Sequence, residues 1–233
     1  MNEASKFRER WQRLGRWERY FVPGQTILDV GCGNDKIVDW ATGWDVAQGD
    51  AQKLDGVAND SYDLVFSAHC IEHMRSPLEA LTNWWRVVRP GGHLIVVGPD
   101  EDLYEQGIVP SVFNPDHKVT LTLHKYDSWS PLTINLIDLV RPLAGHKLVL
   151  AEIVDAGYDH TKQGVDQTLG TAEAGVELVV QKIDHQAWLR TALRSLARCP
   201  ECGRLEVVVL GLEEDRRFRV RCQGCGMVVG IVL

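Results

Sequence analysis

No stretch of this 233-residue chain is apolar for long enough to cross a bilayer. The longest clean apolar run is the closing MVVGIVL, whereas a spanning helix needs about 20 such residues. The opening MNEASKFRERWQRLGRWERYF carries charge throughout and lacks the apolar core of a secretion signal, so a cytoplasmic protein is expected. There is no repeat at solenoid spacing and no low-complexity tract. A composition of 45% hydrophobic and 24% charged residues excludes disordered and collagenous classes. Cysteine is scarce, with six in all. In a cytoplasmic chain these point to metal or free thiols before disulfides. A net charge of -7 argues against a chain that wraps nucleic acid along its whole length.

That charge is unevenly spread. Residues 1–22 hold six Lys/Arg against three Asp/Glu, and residues 185–233 hold eight against five. The middle, 23–184, holds eleven against twenty-four. An acidic body therefore carries two mildly basic ends.

The body alternates short runs rich in Val, Ile and Leu (TILDV, GWDV, YDLVFSA, HLIVVG, KLVLAEIV, VELVVQKI) with helix-like stretches. PLEALTNWWRVVRPGG reads as a helix with Pro77 in its first turn, a stripe of Leu78, Leu81, Trp85 and Val88, and a Pro90-Gly91-Gly92 stop. Residues 131–145 repeat that logic. The alternation predicts a Rossmann-like, doubly wound, mostly parallel α/β sheet. Residues 101–130 break it and read as an insertion or lid. The expected organisation is an amphipathic N-terminal helix or lid over 1–22, a body over 23–184, a linker helix over 185–198 and a cysteine module over 199–233. In the first segment Phe7, Trp11, Leu14, Trp17 and Phe21 should lie on the core, with the arginines solvated.

ILDVGCGND places Gly31-x-Gly33 directly after an apolar strand. Glycines there let the backbone turn tightly and approach a ligand. Asp45 follows at the end of the next strand, where an acceptor for ribose hydroxyls would stand. The dinucleotide fingerprint requires a third glycine, and Lys36 occupies that position. Asp50-Ala51, YDLVFSAHCIEH and RVVRPGGHL complete the series.

In this order the elements resemble class I S-adenosylmethionine-dependent methyltransferases, especially the type 11 group, closely over residues 25–100 and more loosely to 183. The resemblance implies that Asp29, Gly31 and Gly33 hold the methionine part of the cofactor and that Asp45 binds the ribose. It further implies that Asp50 and Ala51 lie against the adenine, with Ala68 and His69 beside the cofactor. Asp45 and Asp50 are only five apart, where the family usually fits a helix and a strand, so a trimmed sheet edge is expected.

Methyl transfer needs alignment and water exclusion, and a base when the acceptor is a hydroxyl or a protonated amine. His69, His73, Asp100, His117 and His124 are the candidates at strand ends and in the irregular segment, with His73 and His117 the preferred catalytic pair. Cys32 and Cys70 flank the expected pocket and read as small hydrophobes.

CPECG and CQGCG place Cys199, Cys202, Cys222 and Cys225 in a paired CxxC pattern suited to a structural, tetrahedral zinc. Gly203 and Gly226 allow knuckle turns that aim backbone amides at sulfur. LEVVVLGLEEDRRFRV between them predicts a zinc-ribbon hairpin. Arg217, Arg219 and Arg221 share one strand face beside Glu213, Glu214 and Asp215. The ribbon is expected to dock a partner or a second copy, with nucleic-acid binding as the second reading. The expected function is methyl transfer to a small-molecule or saccharide acceptor. Its rivals are a nucleic-acid or protein methyltransferase recruited through the ribbon and a non-catalytic cofactor-binding scaffold.

Overall fold

The computed structural model describes residues 2–184, 207–212, 217–222 and 224–232. The chain divides into two compact units, Met1–Lys182 and Ile183–Leu233. In the first, strands β1 (Ile27–Val30), β2 (Thr42–Trp44), β3 (Tyr62–Ala68), β4 (Val88–Pro99), β7 (His146–Val154) and β8 (Gly175–Lys182) form one sheet in the order β2-β1-β3-β4-β8-β7. The first four run parallel, and β8 pairs antiparallel to both neighbours. β1 and most of β8 are buried without alternation, as strands covered on both faces must be. The edge strand β7 is largely exposed. The sheet ends at β2 on the other side, matching the trimmed edge expected from the Asp45–Asp50 spacing. A second, two-stranded sheet pairs β5 (Thr120–Thr122) with β6 (Thr133–Asn135).

Strand parity separates two cores. Leu28, Val30, Val65, Leu94 and Val96 face helices α3 (Pro77–Val87) and α4 (Leu136–Val140). Ile27, Leu64, Phe66, Ile95 and Val97 face the opposite side, under α1 (Glu3–Arg13) and α2 (Trp17–Tyr20). Both faces are covered, although the crossovers supply little of the cover. Residues 31–41 and 45–61 contain no helix, because turn formers such as Gly33-Asn34-Asp35 and Asp55-Gly56 interrupt them. Arg86 on α3 substitutes for the second missing helix, donating to the carbonyls of Val57 (2.5 Å), Leu54 (2.8 Å) and Lys53 (3.2 Å).

Several local expectations are corrected. On α3, Leu78 is exposed, and Ala80, Trp84 and Val87 complete the buried face. Both indole N–H groups of that helix are satisfied, Trp84 by the Ala51 carbonyl and Trp85 by that of Ala144. The chain passes straight from α3 into β4, so Pro90-Gly91-Gly92 lies within the strand rather than ending the helix. Residues 131–145 begin as β6, and only Leu136–Val140 is helical, started by the Asn135 side chain accepting from the Ile137 amide. Residues 101–130 carry β5 and the buried Glu101, Tyr104, Glu105 and Ser111, so the segment is packed.

At the N-terminus Phe7, Trp11 and Phe21 are buried while Leu14 is exposed. The Phe7 ring lies 4.5 Å from Trp11 and 4.9 Å from Phe66, centroid to centroid. The arginines are not all solvated. Arg10 is buried, bonding Glu173 at 2.9 Å and Glu177 at 2.6 Å, and the Trp11 indole donates to Glu177 at 2.9 Å. A buried carboxylate is costly unless paired, and two of them explain why the arginine goes inside.

The second unit contains an antiparallel sheet of β9 (Val207–Leu212), β10 (Arg217–Cys222) and β11 (Val228–Val232), with β10 central. β11 is the closing apolar run, a third strand beyond the expected hairpin. The expected linker helix, Cys199, Cys202, Gly203 and Glu213 to Asp215 lie outside the described residues.

Candidate active site

β1 delivers the glycine turn. Gly31 has φ +75°, and a Cβ there would sit 2.6 Å from Cβ of Cys70, so both conformation and space require glycine. Gly33, at φ +51°, would present a Cβ to open space. Its amide donates to Asp45 Oδ2 at 2.8 Å, while Oδ1 accepts from the Val46 amide, which ties the end of β2 to the turn. A cavity of about 300 Å³ lies here, lined by Asp29, Gly31, Gly33, Ala68 and His69, with Asn2, Glu3 and Ala4 from the start of α1. Asp29 is buried and accepts from the Ile37 amide at 2.6 Å. Burial pushes its carboxyl up to about 7, against the opposing pull of the Ile37 bond. Burial likewise pushes the Cys70 thiol up to about 12, as suits an inert packing residue. These residues fit a ligand with a cationic end. The carboxylates of Asp29 and Glu3 supply the charge, and the open backbone at Gly33 supplies the approach.

Asp50 borders a different cavity of about 480 Å³, with Gln52, Lys53, His73, Met74 and Arg75. Its carboxylate accepts from the Gln52 amide, and the Ala51 carbonyl is taken by Trp84. Of the expected cofactor residues, Asp29, Gly31, Gly33, Ala68 and His69 thus line the first cavity and Asp50 the second, while Asp45 and Ala51 line neither.

After β3, His69 takes a left-handed conformation (φ +51°) and the chain makes a single 3-10 turn over Ile71–His73. This turn brings the two preferred histidines together, their rings 5.0 Å apart. His117 comes from the irregular segment, which is fastened to the turn by the Lys118 amide donating to the Glu72 carbonyl at 2.8 Å. Facing the Nε2 atoms of both rings is Glu72, which is fully buried. Glu72 Oε1 is 3.8 Å from Nε2 of His73, 3.9 Å from Nε2 of His117 and 3.6 Å from Nδ1 of His69. Both Glu72 carboxylate oxygens are without a hydrogen-bond partner among the described residues. Burial, with the nearby carboxylates of Glu105 and Glu3, pushes this carboxyl up to about 8. The opposite ring nitrogens are held from outside. His73 Nδ1 meets Asp116 Oδ2 at 2.9 Å, and His117 Nδ1 meets Glu105 Oε1 at 2.6 Å. His69 Nε2 faces Glu3 at 3.3 Å, and burial holds its imidazole below the ordinary value.

Two other candidates stand apart. His124 is exposed. Asp100 accepts from the amides of Asp102 and Leu103, and so shapes its own turn. Sequence reasoning missed Glu72 and Glu105. Glu72 stands inside the CIEH string already singled out for its histidines, while nothing local marks Glu105.

In the second unit, β10 ends at Cys222. The Gly224 amide donates to Cys222 Sγ at 3.3 Å, the Gly226 amide donates to the Cys222 carbonyl, and Gly226 has φ +77°. Cys222 is buried and Cys225 exposed. One amide is thereby aimed at a cysteine sulfur within the described half of the CxxC pair.

Residues 41–96 match a family model described as a methyltransferase domain. No curated protein matches the sequence significantly. Among solved structures, one described as the conversion of a disulfide bond into a thioacetal group during echinomycin biosynthesis is similar at 14% identity, with a TM-score of 0.52, covering 82% of this chain and 87% of that one. Methyltransferases that use S-adenosylmethionine from Methanosarcina mazei (16% identity, TM-score 0.48, 71% and 96% covered) and Archaeoglobus fulgidus (15%, 0.48, 77% and 94%) are similar at a lower score. The mixed six-stranded sheet agrees with the Rossmann-like methyltransferase fold. The enzyme class that this domain match on this fold supports is S-adenosylmethionine-dependent methyltransferase.

Proposed function

We propose that the chain transfers a methyl group from S-adenosylmethionine to a small-molecule or saccharide acceptor. The observation that carries this reading is the glycine turn with Asp29, open on a cavity that the half-buried histidine cluster borders through His69, with Asp45 bonded to the turn at the Gly33 amide. Asp29, Gly31 and Gly33 would hold the methionine end, Asp45 the ribose, Asp50 and Ala51 the adenine, and Ala68 and His69 the flank. The cofactor when bound supplies a methyl group already activated as a sulfonium. The first residues of α1 close one side of its cavity and exclude water, which gives the 1–22 segment its lid role. His73 and His117 stand on the acceptor side. The acceptor class follows the type 11 resemblance. The body is assigned to 23–184, the linker to 185–198 and the ribbon to 199–233. There Cys199, Cys202, Cys222 and Cys225 would bind one structural zinc, and the module would dock a partner or a second copy.

Calorimetry tests the cofactor assignment. S-adenosylmethionine should bind the full chain, and Asp45→Ala should weaken it by at least about 10-fold, the scale of lost charge-assisted hydrogen bonds. Absence of binding would end the methyltransferase reading. A methyl-label transfer screen over fractionated cell extract then distinguishes small acceptors from nucleic acid or protein. Binding without any labelled product would favour the scaffold.

A further inference from the structure

We propose that Glu72, His73 and His117 form a binding site for a first-row divalent metal ion, with the two histidines ligating through Nε2. The three donor atoms lie within 4.8 Å of one another. Metal–nitrogen and metal–oxygen bonds of about 2.0–2.2 Å place neighbouring ligands roughly 3.0–3.5 Å apart. The Glu72 oxygen, 3.8 and 3.9 Å from the two Nε2 atoms, therefore needs to close on each by about 0.3–0.9 Å, and the two ring nitrogens start within 4.8 Å of each other.

Three features point to a cation rather than to packing. First, Glu72 is fully buried, both of its oxygens lack a hydrogen-bond partner among the described residues, and its Oε1 faces the Nε2 atoms of both rings. A carboxylate taken out of water without a donor or counter-charge is among the costliest arrangements a fold can hold. A divalent ion relieves that cost. Second, each imidazole is anchored at Nδ1 by a carboxylate, Asp116 for His73 and Glu105 for His117. That is the outer-shell arrangement which fixes the tautomer and turns Nε2 toward a metal. A histidine pair built only for packing has no need of an acid at each Nδ1 and a third facing both Nε2 atoms. Third, the donor set is borderline in softness: two imidazoles and one carboxylate suit zinc, iron(II) or cobalt, and disfavour calcium and magnesium.

Three protein ligands leave coordination positions open. His73 also lines the cavity of about 480 Å³ that Asp50 borders, the side assigned above to the adenine.

The test is a cobalt(II) titration of the metal-stripped, reduced full chain, followed by visible absorption and calorimetry. Thiolate ligation in the tail produces sulfur-to-cobalt charge-transfer bands. The site at Glu72 should appear as a further equivalent with ligand-field bands and no such charge transfer. His117→Ala and Glu72→Gln should remove that equivalent, weakening it by more than about 100-fold, and leave the thiolate bands in place. Glu105→Gln, which alters only the anchor, should weaken it by about 10-fold. Glu72→Gln keeps the shape, and a carboxyl pushed up to about 8 is largely uncharged at neutral pH, so the metal-free variant should melt close to the parent. Cobalt should raise the parent's Tm and not the variant's. A parent that binds no cobalt outside the thiolate class, or a Glu72→Gln chain that binds it as tightly as the parent, would overturn the site. Neither result depends on methyl transfer.

Discussion

Asp29 is a buried acid whose carboxyl stands at about 7 where an exposed one stands at 3.8, with Arg8 from α1 and Asp35 and Lys36 from the glycine loop as its charged neighbours. Between those two values the folded chain binds a proton that the unfolded chain has released. Stability contributed by Asp29 therefore falls as pH rises from about 4 to 7, by no more than about 4 kcal/mol. The proposed cationic ligand prefers the ionised acid, so its affinity should rise across pH 7. Asp29→Asn should flatten both trends, measured as the difference from the parent in denaturant midpoint and in calorimetric Kd at pH 5.5 and 8. Equal pH slopes for the two chains would remove Asp29 from this role. At this scale the sequence was partly legible. Gly31, Asp29 and His73 could be named because strand ends and a glycine turn mark them, and His117 because it is a histidine in the irregular segment. Glu105 could not, because only the tertiary path of 101–119 brings it to His117, and nothing in the pattern of that irregular segment encodes the path.

Among the elements, α3 does more than cover the sheet. Through Arg86 it holds the turn-rich connection between β2 and β3, where Asp50 and Ala51 lie. Arg86→Ala would leave the carbonyls of Lys53, Leu54 and Val57 without their donor, and should cost about 2–4 kcal/mol of stability. It should also weaken S-adenosylmethionine through the adenine side, with Arg86→Lys recovering little because one ammonium cannot span those carbonyls. Urea titration and calorimetry report the two effects, and a loss in neither would show that the connection holds itself. Legibility differed by element type. Apolar runs without alternation located β1, β3, β4 and β8, since burial on both faces leaves a dense hydrophobic signature, and the run KLVLAEIV located β7 although that edge strand is largely exposed. The α3 stripe was misplaced toward Leu78, because helical period alone does not say which of two adjoining faces is inward. Residues 131–145 misled for a related reason: three residues of β6 are too few to interrupt a helical pattern.

At the scale of the molecule, the change from acidic body to basic C-terminal segment falls close to where the two compact units divide, whereas the basic residues 1–22 belong to the first unit. No helix among the described residues is long and apolar enough to cross a membrane. A unit as short as Ile183–Leu233 is below the size at which a hydrophobic core alone holds a domain easily, so the proposed zinc and its folding should be one event. Cys222→Ser should then speed hydrogen exchange across 207–232 and leave the strands 27–30, 62–68 and 94–98 as protected as before. Unchanged exchange in the tail would show that it folds without metal. The cysteine spacing made this module legible from composition, whereas the burial of Arg10 was hidden, since a basic helix gives no sign of acids more than 160 residues away. That distance has a consequence during synthesis. Arg10 and Trp11 emerge from the ribosome long before Glu173 and Glu177, the carboxylates that complete their contacts. At roughly 5–20 residues per second the first helix waits about 10–30 s for its mates. Its aromatic face is thus offered to nascent-chain chaperones for most of translation, and the body can close only when its last strand is delivered.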